Sequence, residues 1–139
     1  MNDTLVRNWN ARVKETDIVI FLGDFAFKGA QDVKKWMSLL HGNITFLKGN
    51  HDSNSLNTPI LSLVIELGGK TMFCTHNPVD FCNSYPINLV GHVHEKWKIK
   101  KVASSYLINV GVDVWNFSPV DINEILKELG KFKKGCSTK

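Results

Sequence analysis

Two apolar runs, each ending in polar residues, set what this chain can fold into. The first, Ile18-Val19-Ile20-Phe21-Leu22, is continuous and mostly β-branched, and it stops at Gly23-Asp24. The second, Ile44-Thr45-Phe46-Leu47, leads into Gly49-Asn50-His51-Asp52. Between them, residues 30–40 bring Val33, Trp36, Met37 and Leu40 round at helical spacing and close on His41-Gly42, a glycine stop. Strand, helix and strand in that order predict a parallel pair joined by a crossover helix, hence an α/β arrangement. The unbroken apolar character of residues 18–22 predicts a central strand covered on both sides.

The flanking segments fit the same plan. Residues 2–13 repeat Leu5, Trp9 and Val13 at helical spacing, with Val6 beside them and Asn2 or Asp3 as cap. Residues 63–67 and 71–75 form a hairpin about Gly68-Gly69 and end at His76. Ile87-Asn88-Leu89-Val90 is a further strand ending at Gly91-His92-Val93-His94, and residues 100–112 hold one or two more. Pro119 and Asp121 introduce a last helix over 122–132, with Ile122, Ile125, Leu126 and Leu129 inward. No repeat, linker or low-complexity stretch interrupts the chain.

Composition narrows the class. The 139 residues are 43% hydrophobic, enough for the core of one domain and too many for a disordered chain. No apolar run reaches membrane-span length, and residues 1–7 lack a basic start and apolar block, so neither a span nor a signal peptide is expected. Cys74, Cys82 and Cys136 form an odd set without CxxC spacing, which predicts free thiols and a cytoplasmic location. The net charge of +4 and pI near 9.0 suit an anionic substrate. Lys96, Lys98, Lys100 and Lys101 read as a strand with a solvated face. Lys127, Lys131, Lys133, Lys134 and Lys139 read as a helix end and tail. Trp97 and Trp115 are stacking groups for nucleic acid or, the simpler reading, core and rim packing.

The chemistry gathers at strand ends. Of five histidines, His51, His76, His92 and His94 follow predicted strands directly, alongside Asp24 and Asn50. Ligand sites in open α/β sheets form at the carboxyl ends of strands, where such residues converge. The donors are nitrogen and oxygen with no thiolate in position, a set suited to zinc, manganese, iron or nickel. A carboxylate such as Asp24 bridges two ions well, and two ions about 3.5–4 Å apart clamp a phosphoryl group. Taken alone, Gly49-Asn50-His51-Asp52 also reads as a capped strand-to-helix turn.

In Gly23-Asp24, Gly49-Asn50-His51-Asp52, His76 and Gly91-His92-Val93-His94, the chain resembles the calcineurin-like metallophosphoesterases over nearly its whole length. Residues 5–10 and Asn109-Val110-Gly111-Val112-Asp113 are similar to a compact bacterial and phage branch of that family. The resemblance implies an α/β/β/α sandwich of two packed sheets flanked by helices. It makes Asp24 the bridging carboxylate, with Asn50, His76 and His92 completing one metal site and His94 belonging to the other. Asn50 and His51 would meet the substrate phosphate, and His51 would protonate the leaving oxygen. Asp52 would orient His51. The glycines before each motif would permit tight turns and close approach of the phosphate.

One departure stands out. The family begins with a strand ending in Asp-x-His, which supplies two ligands to the ion shared with His94. This chain starts at Met1, in the helix that follows that strand, and Asp3 reads as a helix cap. The expectation is therefore a single domain over 1–139, N-terminally truncated relative to the family and lacking its first strand. One site keeps Asp24, Asn50, His76 and His92; the other keeps Asp24 and His94; one or two divalent ions bind per chain. The resemblance implies hydrolysis of phosphate mono- or diesters by attack of a metal-bound hydroxide, with nucleic acid as partner only in the role of substrate. The alternative is an inactive or single-metal fragment acting as a binding module. A sheet edge left uncovered invites pairing between copies. Residues 25–29, 53–60 and 79–86, with Phe27, Lys28, Phe81 and Tyr85, are candidate substrate contacts or ordinary loop packing.

Overall fold

Trp9 and Val13 stand four residues apart, on one face of a helix, and both are buried. That face seats α1 (Asn2–Arg12) against β1 (Ile18–Phe21), where Trp9 stacks on Phe21 with ring centroids 6.1 Å apart. The computed structural model describes residues 2–22, 35, 38–48, 60–67, 69–93 and 95–136. Helical main chain begins at Asn2, so Asp3 lies in the first turn and not at the cap expected of it. Strand β2 (Asn43–Phe46) pairs with β1 in parallel, with Ile18 opposite Asn43 and Phe21 opposite Phe46, as the strand–helix–strand pattern requires. Lys35, Ser38 and Leu39 of the crossover are helical. Gly42 ends it at φ +99°, and a β-carbon there would stand 2.8 Å from Val13 Cγ1, so only glycine fits.

The expected two-sided burial of β1 holds only in part. Ile18 is 78% exposed, because cover begins at the next residue. From there Phe21 faces α1 and β2, while Ile20 and Leu22 join the core.

The second half builds a five-stranded mixed sheet in the order β3-β4-β5-β7-β6. Its strands are β3 (Ser62–Leu67), β4 (Lys70–Thr75), β5 (Ile87–Val90), β6 (Ile99–Val102) and β7 (Ser105–Asn109). Strands β3 and β4 form the expected antiparallel hairpin, and β6 and β7 a second one. β4, β5 and β7 run parallel at the centre, so their carboxyl ends lie on one side. One face of the sheet carries Met72, Cys74, Ile87, Leu89 and Ile108. These join Leu22 and Leu47, beyond β1 and β2, and Ile125 and Leu129 of helix α2 (Ile122–Cys136) in one core. Leu47, Met72 and Ile108 are fully buried, each stabilising the fold by about 2 kcal/mol.

Helix α2 starts with a reciprocal cap. Asp121 Oδ1 accepts the Glu124 N–H at 2.8 Å, and Glu124 Oε1 accepts the Asp121 N–H at 3.2 Å. An Arg12–Glu124 ion pair ties α1 to this turn. The helix runs four residues past the predicted end at 132. The arrangement is an α/β/β/α sandwich of a five-stranded and a smaller sheet with flanking helices. Among the described residues no helix is long and apolar enough to cross a membrane.

Cys74 lies within the core, and burial pushes its thiol from the ordinary 9.0 up to about 12. A thiol held protonated there is no nucleophile. The folded chain keeps this proton at a pH where the unfolded chain releases it. Stability fully present below about pH 9 is therefore lost as pH climbs toward 12, by about 1.4 kcal/mol for each pH unit. We expect wild type to lose about 1.4 kcal/mol more than Cys74→Val between pH 8 and pH 10, read as the difference in urea unfolding free energies. Equal losses in the two proteins would refute this account.

Candidate functional site

His76 follows β4 and His92 follows β5, and because these strands are parallel neighbours the two imidazoles meet. His76 is 5% exposed. Its Nδ1 lies 2.6 Å from the Leu22 carbonyl oxygen, at the end of β1. A carbonyl only accepts, so the Nδ1–H is the donor there and Nε2 is the ring nitrogen turned toward His92. That Nε2 stands 3.2 Å from His92 Nδ1, with the rings edge to face at 5.0 Å. The Gly91 N–H donates to the His76 carbonyl at 2.9 Å and fixes the two strand ends together.

The pair passes a geometric test for a shared ion. Two imidazole nitrogens bound to one tetrahedral zinc at 2.0–2.1 Å stand about 3.3–3.4 Å apart. A metal-ligating histidine also typically donates its other ring N–H to a carbonyl or carboxylate, as His76 does to Leu22. Among the described residues, no three His, Cys, Asp or Glu side chains form a metal-binding group. The remaining predicted ligands Asp24, Asn50 and His94, with the predicted catalytic His51 and Asp52, lie outside the described residues.

The backbone freedom expected of the glycine in Gly91-His92 belongs to the histidine. A β-carbon on Gly91 would meet only ordinary contacts, 3.6 Å from the Leu22 oxygen and 3.7 Å from His76 Nδ1. His92 takes φ +73°, a left-handed conformation that disfavours residues other than glycine. Such strain is held where surrounding structure over-determines it, often at functional sites.

Beside His76 opens a cavity of about 460 Å³, within the usual range for small-molecule sites. Leu61 and Phe73 supply its apolar wall, and Lys48, Ser62, Thr75, Asn77 and Asp80 its polar groups. Phe73 is held flat by Tyr85, whose ring stacks on it at 5.6 Å. Tyr85 thus braces this wall, whereas Phe81 lines a smaller cavity of about 210 Å³ with Trp97 and Lys100. Phe27, Lys28 and residues 53–59 lie outside the described residues.

Sequence reasoning passed over Lys48 and reached Asp80 only as part of the candidate segment 79–86. Lys48 follows fully buried Leu47 and so turns outward, a signal that strand alternation offered. Asp80 ends a short 3₁₀ turn, Pro78–Asp80, capped by Asn77 Oδ1 accepting the Val79 N–H at 3.1 Å. Trp115 is a packing residue: its Nε1–H donates to the Asn109 carbonyl at 2.7 Å, and Lys98 lies over its ring.

The chain matches no protein-family model. It is 36% identical over 145 residues to the uncharacterized protein MJ1445 of Methanocaldococcus jannaschii, covering 96% of this chain and 77% of that one. Among solved structures, it superposes on a protein of unknown function, AQ665 from Aquifex aeolicus, with a TM-score of 0.64 at 21% identity. That match covers 91% of this chain and 83% of the other. Vps29 of Entamoeba histolytica, solved with zinc, gives a TM-score of 0.54 at 18% identity, over 80% of this chain and 64% of Vps29. The Vps29 structures share the calcineurin-like metallophosphoesterase sandwich, which is the fold described above.

Proposed function

The chain belongs to the family of the uncharacterized protein MJ1445, and from that footing we propose that it is a metal-dependent phosphoesterase acting on phosphate mono- or diesters. The observation that carries this reading is the His76–His92 pair, one imidazole fixed by the Leu22 carbonyl and presenting its Nε2 to the other. Support also comes from the metallophosphoesterase fold and from the zinc in one Vps29 structure of that fold. His76 and His92 would hold a divalent cation, with Asp24 and Asn50 completing the set and His94 serving a second ion. When bound, such a cation polarises a phosphoryl oxygen and acidifies water.

The chain's own residues do the remainder. Asn50 and His51 orient the phosphate, and His51 gives its proton to the departing alkoxide. Asp52 holds the His51 ring in the tautomer that allows this. Chromogenic phosphate mono- and diesters, offered with manganese, zinc, iron or nickel, test the activity. Turnover that a chelator removes and added metal restores is expected; a folded protein inert with every ion would refute it. His51→Ala is expected to lower kcat by about 10²–10⁴ while metal content by elemental analysis stays at the wild-type level. Undiminished turnover in that variant would remove His51 from the chemistry.

A further inference from the structure

The cavity beside His76 has a composition that selects among phosphate esters. Among the described residues, Lys48 is the only Lys or Arg in its wall and its ammonium has no ion-pair partner. Its backbone is fixed: Leu47 N–H donates to the Phe21 carbonyl at 2.8 Å, and Lys48 N–H to the Ile60 carbonyl at 2.8 Å. The Lys48 stem is therefore anchored at the cavity wall, and its ammonium is within a side-chain length of that anchor. Phe73, braced by Tyr85, offers a flat apolar surface, and Leu61 extends it. Asp80 and Ser62 add a carboxylate and a hydroxyl.

We infer that this cavity receives the alcohol portion of the ester, and that Lys48 favours planar alcohols carrying an anionic group. The inference rests on the phosphoesterase reading above. Scissile phosphate at the histidines and leaving group in the adjoining cavity is the arrangement the wall supports. A flat ring lies against Phe73 and its anionic substituent pairs with Lys48. Asp80 opposes that charge, so the two residues tune selectivity in opposite directions. Lys48 acts on binding of the alcohol portion and takes no part in bond cleavage.

Two nearly isosteric probes test this: 4-carboxyphenyl phosphate, anionic in the leaving group, and 4-carbamoylphenyl phosphate, neutral there. Each is assayed also as its methyl phosphodiester, by release of the phenol from the metal-loaded protein. We expect the ratio of kcat/KM, carboxyl over carbamoyl, to fall about tenfold in Lys48→Met, through KM. The ratio should rise severalfold in Asp80→Asn. Taking the ratio within each variant removes any general effect on the neighbouring Gly49 to Asp52 motif. If hydrolysis persists and neither substitution moves the ratio, the role of Lys48 is overturned while the phosphoesterase reading stands. If no ester is hydrolysed with any ion, that reading falls and the subsite with it.

Discussion

Replacing His92 by glycine will lower metal-dependent phosphoester hydrolysis by at least about a hundredfold and leave the fold as stable as wild type, or more so. The two effects separate because His92 carries two burdens. Its Nδ1 stands 3.2 Å from His76 Nε2, so removing the ring takes away half of the histidine pair proposed to hold the cation. Changes to residues that merely support a ligand weaken metal binding by about 10–100-fold, and loss of a ligand is more severe. Its backbone, at φ +73°, carries about 1–2 kcal/mol of strain that glycine relieves. His92→Ala keeps the strain and loses the ring, so it should be equally inactive and less stable than the glycine variant. His76→Ala differs again, since it also leaves the Leu22 carbonyl without its imidazole donor. Elemental analysis, ester hydrolysis and thermal melts on the three variants check this. Full metal content and turnover in His92→Gly would rule out His92 as a ligand.

Replacing Asn88 by alanine is expected to destabilise the chain by about 3 kcal/mol. Asn88 is wholly buried in β5, where an apolar residue would be usual. Its Oδ1 accepts the Cys82 N–H at 2.8 Å, and its Nδ2 donates to the carbonyls of Cys82 at 3.1 Å and Tyr85 at 3.0 Å. Each bond contributes about 1 kcal/mol net, and losing the side chain leaves the Cys82 N–H without this acceptor in a part-buried setting. Ser105 Oγ also donates to the Tyr85 carbonyl, at 2.7 Å, and the Tyr85 N–H to the Cys82 carbonyl, at 3.1 Å, so both oxygens keep one partner and the Cys82 N–H loses the acceptor named here. The expected fall in Tm is roughly 10 °C. Because Asn88 fixes Tyr85 and Tyr85 stacks on Phe73, the variant should also raise KM for aromatic esters. A change in Tm below about 2 °C would contradict the role given to these bonds.

Local pattern carried much of the fold. Residues 87–90 and the hairpin of β3 and β4 were readable because apolar alternation and a glycine turn agree there, with Gly69 at φ +78°. Inward Ile125 and Leu129 followed from helical period alone. Order along the chain likewise indicated that His76 and His92 would meet. What pattern could not supply was tertiary. Nothing local distinguishes buried Asn88 from a surface asparagine, since its partners lie in a loop on the other side of a turn. The exposure of Ile18 depends on where cover by neighbouring elements begins. The strain at His92 was hidden by the adjacent glycine, which seemed the natural place for it. Lys48 looked like a strand-end lysine until the cavity beside it was formed.

The acceptor that sets the His76 tautomer is a main-chain oxygen, that of Leu22. Any residue at position 22 presents the same carbonyl, so point substitution there cannot delete it. An aspartate in that role would be lost by a single codon change and would have to co-vary with its histidine. Here the imidazole is poised by the path of β1 itself. The sequence around Leu22 is thereby free to drift under the looser demand of filling the core. Relatives can then diverge widely in side chains beside the pair while keeping the same imidazole orientation.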